Sequence, residues 1–146
     1  MLKEIHRGIY EAIGRKDIPL MASDLKEPKK RPGFKIYVRP VKSERMNNEV
    51  RVTDYNIMVL YYARDINDYY MEHYEMQEVF EELLMSVIEL DNGVFIEINE
   101  LEFESEGDLL AVYMNTVVDT RIDSEIDDEV MEEITFTFSN DKGNIL

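Results

Sequence analysis

The stretch GFKIYVRPVKSERMNNEVRVTDYNIMVLYY, residues 33–62, decides the fold. Phe34, Ile36 and Val38 alternate with Lys35, Tyr37 and Arg39, which is the period of a half-buried β-strand until Pro40 ends the clean pattern. Val50 and Val52 alternate with polar residues, and residues 55–62 are apolar or aromatic on both phases, as is typical of a central strand covered on both faces. The polar connection at residues 43–48 therefore joins two long strands of a predicted antiparallel hairpin.

Upstream of this hairpin the sequence predicts one amphipathic helix. Leu2, Ile5, Ile9 and Ile13 recur at spacings of three and four residues, and Gly14 follows at the position of a left-handed cap. Residues 18–22 form a short apolar run that predicts an edge or irregular strand, because its proline cannot donate to a ladder. The polar, proline-containing residues 24–33 predict a loop.

Downstream the sequence predicts a second, longer helix. Asn67 or Asp68 is the expected N-cap, and Asn92-Gly93 is the expected stop. The apolar stripe of this predicted helix comprises Tyr70, Tyr74, Phe80, Leu83, Leu84, Val87 and Ile88. Glutamates dominate the face of the helix opposite this stripe.

The remaining pattern predicts further strands. Apolar residues lie on even positions from Val94 to Ile98 and on odd positions at Leu101 and Phe103, so a bulge or a new strand begins near residue 99. A turn at residues 106–108 precedes a strand over residues 109–118, and residues 134–138 alternate again. The expected order is α-β-β-β-α-β-β, an α+β fold with one antiparallel or mixed sheet and both helices on one face.

Composition limits the class of protein. The 146 residues (17.3 kDa) predict a single domain over residues 1–146 with a substantial core. The absence of cysteine excludes a disulfide framework, thiolate metal ligands and a cysteine nucleophile. With neither a run of about 18 apolar residues nor a signal-peptide pattern, we expect a soluble cytosolic protein with no membrane contact.

Charge is distributed unevenly along the chain. The formal net charge is −16, which disfavours specific nucleic-acid binding. Residues 1–73 carry 14 basic and 11 acidic side chains, whereas residues 74–146 carry 2 and 21. The basic charge concentrates between Lys26 and Arg51, which includes a basic hairpin around residues 39–53, and an acidic tail spans about residues 122–146. Two interpretations stay open: copies attract each other head to tail, or the basic hairpin pairs with the acidic tail of its own chain.

Sequence motifs for catalysis or metal binding are lacking. The glycines form no phosphate-binding loop, and no serine lies in a nucleophile-elbow motif. His6 and His73 both fall on predicted helices without partners at metal-ligand spacing, which favours solvated or partly packed side chains. The acidic run 123–129 lacks the glycine of an EF-hand loop. The sequence therefore predicts no catalytic residue, no cofactor, no metal site and no enzyme.

Tyrosine is abundant, with 9 residues against no tryptophan. A cluster surrounds the end of the third predicted strand and the start of the long helix. We expect Tyr55, Tyr61 and Tyr74 to pack between strand and helix. Tyr69 and Tyr70 are candidates for a subunit interface, because tyrosine suits surfaces that are buried in one state and hydrated in another.

The order of these segments resembles a known family. A helix LKEIHRGIY at residues 2–10 precedes a proline-rich loop, the strand GFKIYV at 33–38, the basic hairpin and the strand 55–62. The acidic helix, the strands around Glu106-Gly107-Asp108 and the stretch MEEI at 131–134 follow. This succession, over roughly residues 2–138, resembles the tail terminator (tail completion) proteins of bacteriophages, prophage elements and phage-tail-like bacteriocins.

The resemblance implies a structural role. Members of that family assemble as a ring, expected to be a hexamer, on the last ring of the tail tube, stop its growth, and offer a docking surface for the head or neck and, in contractile tails, the sheath. We expect assembly in the host cytoplasm and a final position at the head-proximal end of the tail. The alternatives are another head–tail connector or neck protein and, from a distant class, an acidic adaptor or DNA mimic, which the basic hairpin argues against.

Contacts with a neighbouring subunit or the tail tube are expected at charged and aromatic residues. A heterologous ring contact joins two different patches, so a basic hairpin facing an acidic surface suits it. The candidate contact residues are Arg39, Lys42, Arg45, Arg51, Tyr69, Tyr70, Asp123, Glu125, Asp127 and Asp128.

Overall fold

The computed structural model describes residues 1–14, 18–21 and 30–121. The elements are α1 (Leu2–Ile13), β1 (Gly33–Arg45), β2 (Val50–Tyr62), α2 (Tyr70–Leu84), β3 (Val87–Glu89), β4 (Phe95–Glu97), β5 (Glu102–Glu106) and β6 (Leu109–Arg121). Four strands form an antiparallel sheet in the order β1-β2-β6-β5, and β3 pairs with β4 as a separate two-stranded ribbon. The predicted α+β class is confirmed.

The predicted long hairpin is present as β1 and β2, and β2 lies between β1 and β6 in the sheet. Strand β2 pairs along its whole length with β6, from Val50 opposite Arg121 to Tyr62 opposite Leu109. On its other side it pairs with β1, from Gly33 opposite Tyr62 to Arg45 opposite Arg51. Neighbouring residues on one face of the sheet are therefore known directly from the register.

One face of the sheet, here called the inner face, carries the core. Odd-numbered β2 residues such as Ile57, Val59 and Tyr61 lie beside Phe34 and Ile36 of β1, and all are buried. Both helices pack there, as expected. Helix α1 contributes Ile5, Ile9 and Ile13, and α2 contributes Met76, Phe80 and Leu84. The β3–β4 ribbon also packs on this face, where the Thr116 hydroxyl of β6 donates to the carbonyl of Glu97 at 3.1 Å.

The opposite face, here called the outer face, is built from the even-numbered residues of β2. Within residues 1–14, 18–21 and 30–121 no helix or strand packs over it, and the expectation of a central strand covered on both faces stays a prediction. Met58 and Leu60 are half-buried and Asn56 is exposed. The apolar residues on both phases therefore serve the core on one face and an open sheet surface on the other.

Helix α1 has the predicted bounds. Gly14 adopts the left-handed conformation (φ 64°), and its N–H donates to the carbonyl of Tyr10 at 3.2 Å. Gly8 lies close to Leu90, since a Cβ at this position would be 2.4 Å from Cδ2 of Leu90 and would displace the end of that side chain. The helix therefore lies directly against the end of the β3–β4 ribbon.

Helix α2 differs from its predicted bounds at both ends. The predicted N-caps Asn67 and Asp68 instead donate their backbone N–H groups to the side chain of Asp65 in a turn, and the helix starts after Tyr69. It ends at Leu84, because Val87 and Ile88 pair with β4 as a strand. The Asn92-Gly93 stop is the turn between β3 and β4.

The remaining strand predictions are settled by the register. The phase change near residue 99 marks a new strand, β5, and the turn at residues 106–108 joins it to β6, which is three residues longer than expected. The predicted strand at 18–22 reduces to an isolated bridge between Leu20 and Phe34. The predicted strand at 134–138 lies outside the described residues.

Truncation of Phe80 should destabilise the fold. Its ring is fully buried and lies 6.0 Å from that of Phe34 and 6.5 Å from that of Tyr61, so it joins α2 to the sheet. Phe80→Ala should lower the free energy of unfolding by about 3–5 kcal/mol in urea denaturation. Phe95→Ala is the matched control, because Phe95 is 61% exposed and its loss should cost less than about 1 kcal/mol. Equal effects of the two variants would contradict the packing described above.

Candidate functional site

The four predicted basic contact residues lie on the distal half of the β1–β2 hairpin, on two different faces. Arg39 is opposite Asn56 and Lys42 is opposite Asp54, so both belong to the outer face. A register shift between Pro40 and Lys42 inserts one extra residue in β1. Without this bulge Lys42 would point to the inner face, so the bulge places both cations on one surface.

Arg45 and Arg51 form the other pair, directly opposite each other at the tip. Like charges facing each other across two strands destabilise a hairpin. Both side chains are exposed, and the described residues supply no ion pair to either of them or to Arg39 and Lys42. Among the described residues, the arginines at the tip therefore have no ion-pair partner.

The turn at the tip has a defined geometry. The Asn47 side-chain oxygen accepts hydrogen bonds from the backbone N–H groups of Glu49 (2.7 Å) and Val50 (2.9 Å). The N–H of Met46 donates to the carbonyl of Val50 at 3.0 Å. These bonds fix where Arg45 and Arg51 leave the sheet, so the two guanidinium groups are presented from an ordered hairpin.

The two predicted interface tyrosines lie at the opposite end of the sheet. Strand β2 has 13 residues and thus spans roughly 40 Å, with the basic tip at its start and the first turn of α2 near its end. Tyr70 is 77% exposed, whereas Tyr69 is half-buried and its ring lies 5.2 Å from that of His73. The structure therefore does not bring the tyrosines and the basic residues into one site.

Tyrosine burial agrees with the prediction in two of three cases. Tyr55 and Tyr61 are buried in the core. Tyr74, expected to pack, is 54% exposed, because the buried face of α2 runs through His73, Met76 and Phe80 instead. Tyr74, Tyr70 and Met71 together form an exposed aromatic patch on the first turns of α2.

His73 holds the start of α2 to the sheet, a role that the sequence did not predict. Its ring is buried, and Nε2 lies 2.9 Å from the carbonyl of Asp108, which can only accept a hydrogen bond. Nε2 therefore carries the proton, and in the neutral ring Nδ1 accepts from the Ser105 hydroxyl at 2.8 Å. The histidine is fully packed and bonded, more so than the solvated or partly packed side chain expected.

Two carboxylates also help to hold this end of α2 to the sheet. Glu72 of α2 accepts hydrogen bonds from the Tyr61 hydroxyl and from the backbone N–H of Arg64, the latter at 2.7 Å. Asp108 forms an ion pair with Arg31, whose guanidinium also donates to the carbonyl of Ala63 at 3.0 Å. The first turn of α2, which carries the aromatic patch, is therefore held to the sheet by several hydrogen bonds.

The outer face carries a groove that mixes apolar and charged side chains. Tyr37, Met58, Tyr113 and Glu102 form one row across the four strands, and a concavity of about 760 Å³ lies over them. Partial burial raises the pKa of Tyr113, and the nearby carboxylates of Glu104 and Glu106 raise it further. The acidic side of this groove is β5, because its Glu102, Glu104 and Glu106 all face outward.

The described residues offer no arrangement for metal chemistry and no membrane-spanning helix. Residues 1–14, 18–21 and 30–121 contain no group of three or more His, Asp or Glu placed to hold a metal ion. No helix among them is long and apolar enough to cross a bilayer. The predicted acidic contact residues Asp123, Glu125, Asp127 and Asp128 lie outside the described part of the chain.

Comparisons with known proteins identify the family. No curated protein sequence matches the chain. A solved structure with 12% identity aligns over 84% of this chain and 92% of its own, with a TM-score of 0.38, and no functional conclusion follows from a likeness this weak. A family model described as "Phage tail terminator protein" matches residues 1–129, which is most of the chain and includes the hairpin, both helices and the whole sheet. This protein belongs to the phage tail terminator family and is a structural component of a tail.

Proposed function

We propose that the protein forms a homo-oligomeric ring, a hexamer by the family resemblance, that caps the tail tube and stops its polymerisation. The family match over residues 1–129 is the observation that carries this proposal. The exposed face of the ring then serves as the docking surface for the head or neck and, in a contractile tail, for the sheath. The protein acts at the head-proximal end of the tail after assembly in the host cytoplasm.

The separation of charged and aromatic surfaces supports a ring. A closed ring needs two different patches on each subunit, one for each neighbour. The described chain has a cationic hairpin tip at one end and an acidic, aromatic-rich surface on α2 and β5 at the other. Two such patches attract each other between copies, whereas a single self-complementary patch would give a dimer.

The hairpin tip is the proposed contact with the neighbouring subunit or the tail tube. Arg45 and Arg51 face each other without a counter-ion among the described residues. Lys42 lies three residues before Arg45, on the outer face. An acidic partner surface would remove the mutual repulsion of the arginines, so binding would relieve a local cost of folding. The acidic tail, including Asp123 and Asp127, is the proposed anionic counterpart, within the same chain or in a neighbour.

The acidic character of the ring suits passage of DNA. With a net charge of −16 per chain, a lumen of this protein would repel the phosphate backbone, and DNA would slide through without specific binding. The same surface suits a tail-like particle that carries no DNA. A DNA mimic would spread carboxylates over one face, whereas this sheet has unpaired cations at its tip.

Deletion of the gene in a producing strain tests the proposed function. Electron microscopy should show tail tubes of uncontrolled length without heads or caps, because growth is no longer stopped. Complementation with the intact gene is the control and should restore uniform tails. Tails of normal length beside unattached heads would assign the protein to the neck instead, and wholly normal particles would overturn a role in the tail.

Charge reversal at the tip tests the contact surface. Arg45→Glu/Arg51→Glu should abolish capping and weaken association about 100-fold, or about 3 kcal/mol, because an attractive contact becomes repulsive. The monomer should stay folded, since the two exposed positions still face each other as like charges. Tail lengths in complemented cells, together with circular dichroism of the purified variant, measure the two effects.

The matched control changes the same amount of charge elsewhere. Lys30→Glu/Arg64→Glu reverses two exposed cations, in the segment before β1 and in the loop after β2, at the end of the sheet away from the tip. It should cap tails normally. Normal capping by the tip variant, or equal loss in both variants, would remove the hairpin tip from the contact.

A further inference from the structure

The two edges of the four-stranded sheet carry opposite charge. The order β1-β2-β6-β5 leaves β1 at one edge and β5 at the other. On the outer face, β1 presents the exposed Arg39, with Lys42 beyond the bulge, whereas β5 presents Glu102, Glu104 and Glu106. An edge strand with unpaired N–H and C=O groups is a template for another strand, and complementary side chains give such a pairing direction and register.

The open segment of β1 is short and sharply limited. Phe34 directs its main-chain groups outward, because its N–H donates to Pro19 at 3.0 Å and its carbonyl accepts from Met21 at 2.7 Å. Main-chain groups alternate along a strand, so Ile36 and Val38 also point outward. In the described part of the chain no other backbone group bonds them there. Pro40 has no N–H and ends the segment.

The open segment of β5 has the same length. Lys35, Leu60, Ala111 and Glu104 are aligned across the four strands. Main-chain N–H and C=O groups point alternately to the two sides of a strand. In β5, those of Glu104 therefore point toward β6, and those of Phe103 and Ser105 point outward. Each edge therefore offers two residues with free donors and acceptors.

We propose, building on the ring proposed above, that β5 of one copy adds antiparallel to the β1 edge of the next copy and makes the sheet continuous between subunits. Val38 then pairs with Phe103 of the neighbour and Ile36 with its Ser105, each pair exchanging two main-chain hydrogen bonds. The same register places the exposed Arg39 opposite Glu102 on the outer face. On the inner face, half-buried Val38 and half-buried Phe103 cover each other.

Rotational symmetry is consistent with this geometry. Strands β1 and β5 run in opposite directions within one chain, because three antiparallel pairings separate them. A rotation about an axis roughly parallel to the strands keeps each strand's direction, so β1 of the next copy meets β5 antiparallel. The pairing is heterologous and closes into a ring, with a groove of about 890 Å³ between α1 and the Ile36–Val38 edge as its seat.

Engineered cysteines test the pairing in assembled particles, and the chain has no cysteine of its own. Arg39 and Glu102 would form a non-hydrogen-bonded pair with Cα atoms about 4.5 Å apart, within the range of a disulfide. Within one chain three strand spacings, about 14 Å, separate β1 from β5, so an intrachain bond is excluded. Oxidised particles carrying R39C/E102C should therefore give a ladder of cross-linked oligomers on a non-reducing gel, ending at the ring size.

The matched control is R39C/E106C. It uses the same face and the same residue types, but the proposed register sets these positions four residues, about 13 Å, apart. It should give no ladder. Absence of a ladder with R39C/E102C, or equal ladders with both variants, would overturn the pairing.

A second variant keeps the test decisive if the cysteine variants fail to assemble. Val38→Pro removes the outward N–H while leaving the bonds to β2, and an edge strand tolerates proline. The purified variant should remain folded by circular dichroism and lose capping, whereas normal capping would overturn the proposal. Normal particles from the deletion strain would overturn the proposed function itself. Uncapped tails in the deletion strain, together with no ladder specific to R39C/E102C, would overturn only this inference.

Discussion

The rest of the structure depends on the full-length pairing of β2 with both β1 and β6. Twelve to thirteen residue pairs on each side hold β2 straight across the molecule, so every side chain on it is assigned to one face by register. The inner face then collects Ile57, Val59 and Tyr61 into a stripe long enough to seat two helices and the β3–β4 ribbon. Among the described residues no helix or strand covers the outer face.

That constraint also separates the two ends of the molecule. Side chains at the start of β2 cannot reach those at its end, roughly 40 Å away, so the cationic tip and the aromatic patch on α2 act as independent surfaces. The end near α2 is fixed by His73, Glu72 and Asp108, each bonded to a different element. The tip is fixed by its own turn and by the pairing of β2 with β6, which continues to Val50 opposite Arg121. Anchoring at one end and an ordered, exposed hairpin at the other would suit a subunit that contacts two different neighbours, as the proposed ring requires.

Much of the fold could be predicted because its strands and α1 have clean periods. The alternation in residues 34–39 and 50–53, the apolar run at 55–62 and the spacing of Ile5, Ile9 and Ile13 predicted β1, β2 and α1. Helix α2 was harder, since tyrosine suits both a buried and an exposed face, and Tyr70 and Tyr74 sustain a helical period that packing does not use. Its end was missed because Val87 and Ile88 continue that period, although as β-branched residues they pair equally well with β4.

The candidate surface could be predicted only in outline. Sequence locates the cations on the hairpin, but the face of each depends on the bulge between Pro40 and Lys42, and no local pattern reveals an extra residue in a strand that is polar on both sides. The edge charges were hidden for a different reason. Glu102, Glu104 and Glu106 belong to a short strand in a chain with 32 carboxylates, and they become informative only when the strand order places them at the edge opposite Arg39.

Opposite charge at opposite edges has a consequence for the isolated subunit. Exposed strand edges invite aggregation, and proteins usually protect them with charge or proline. Here both devices are present, since Pro40 shortens the open part of β1 and glutamates line β5, yet the charges differ in sign between the edges. Like edges repel each other and unlike edges attract, so two copies have one favourable way to meet. In the proposed ring, the protection of the monomer and the direction of its assembly would therefore arise from the same residues.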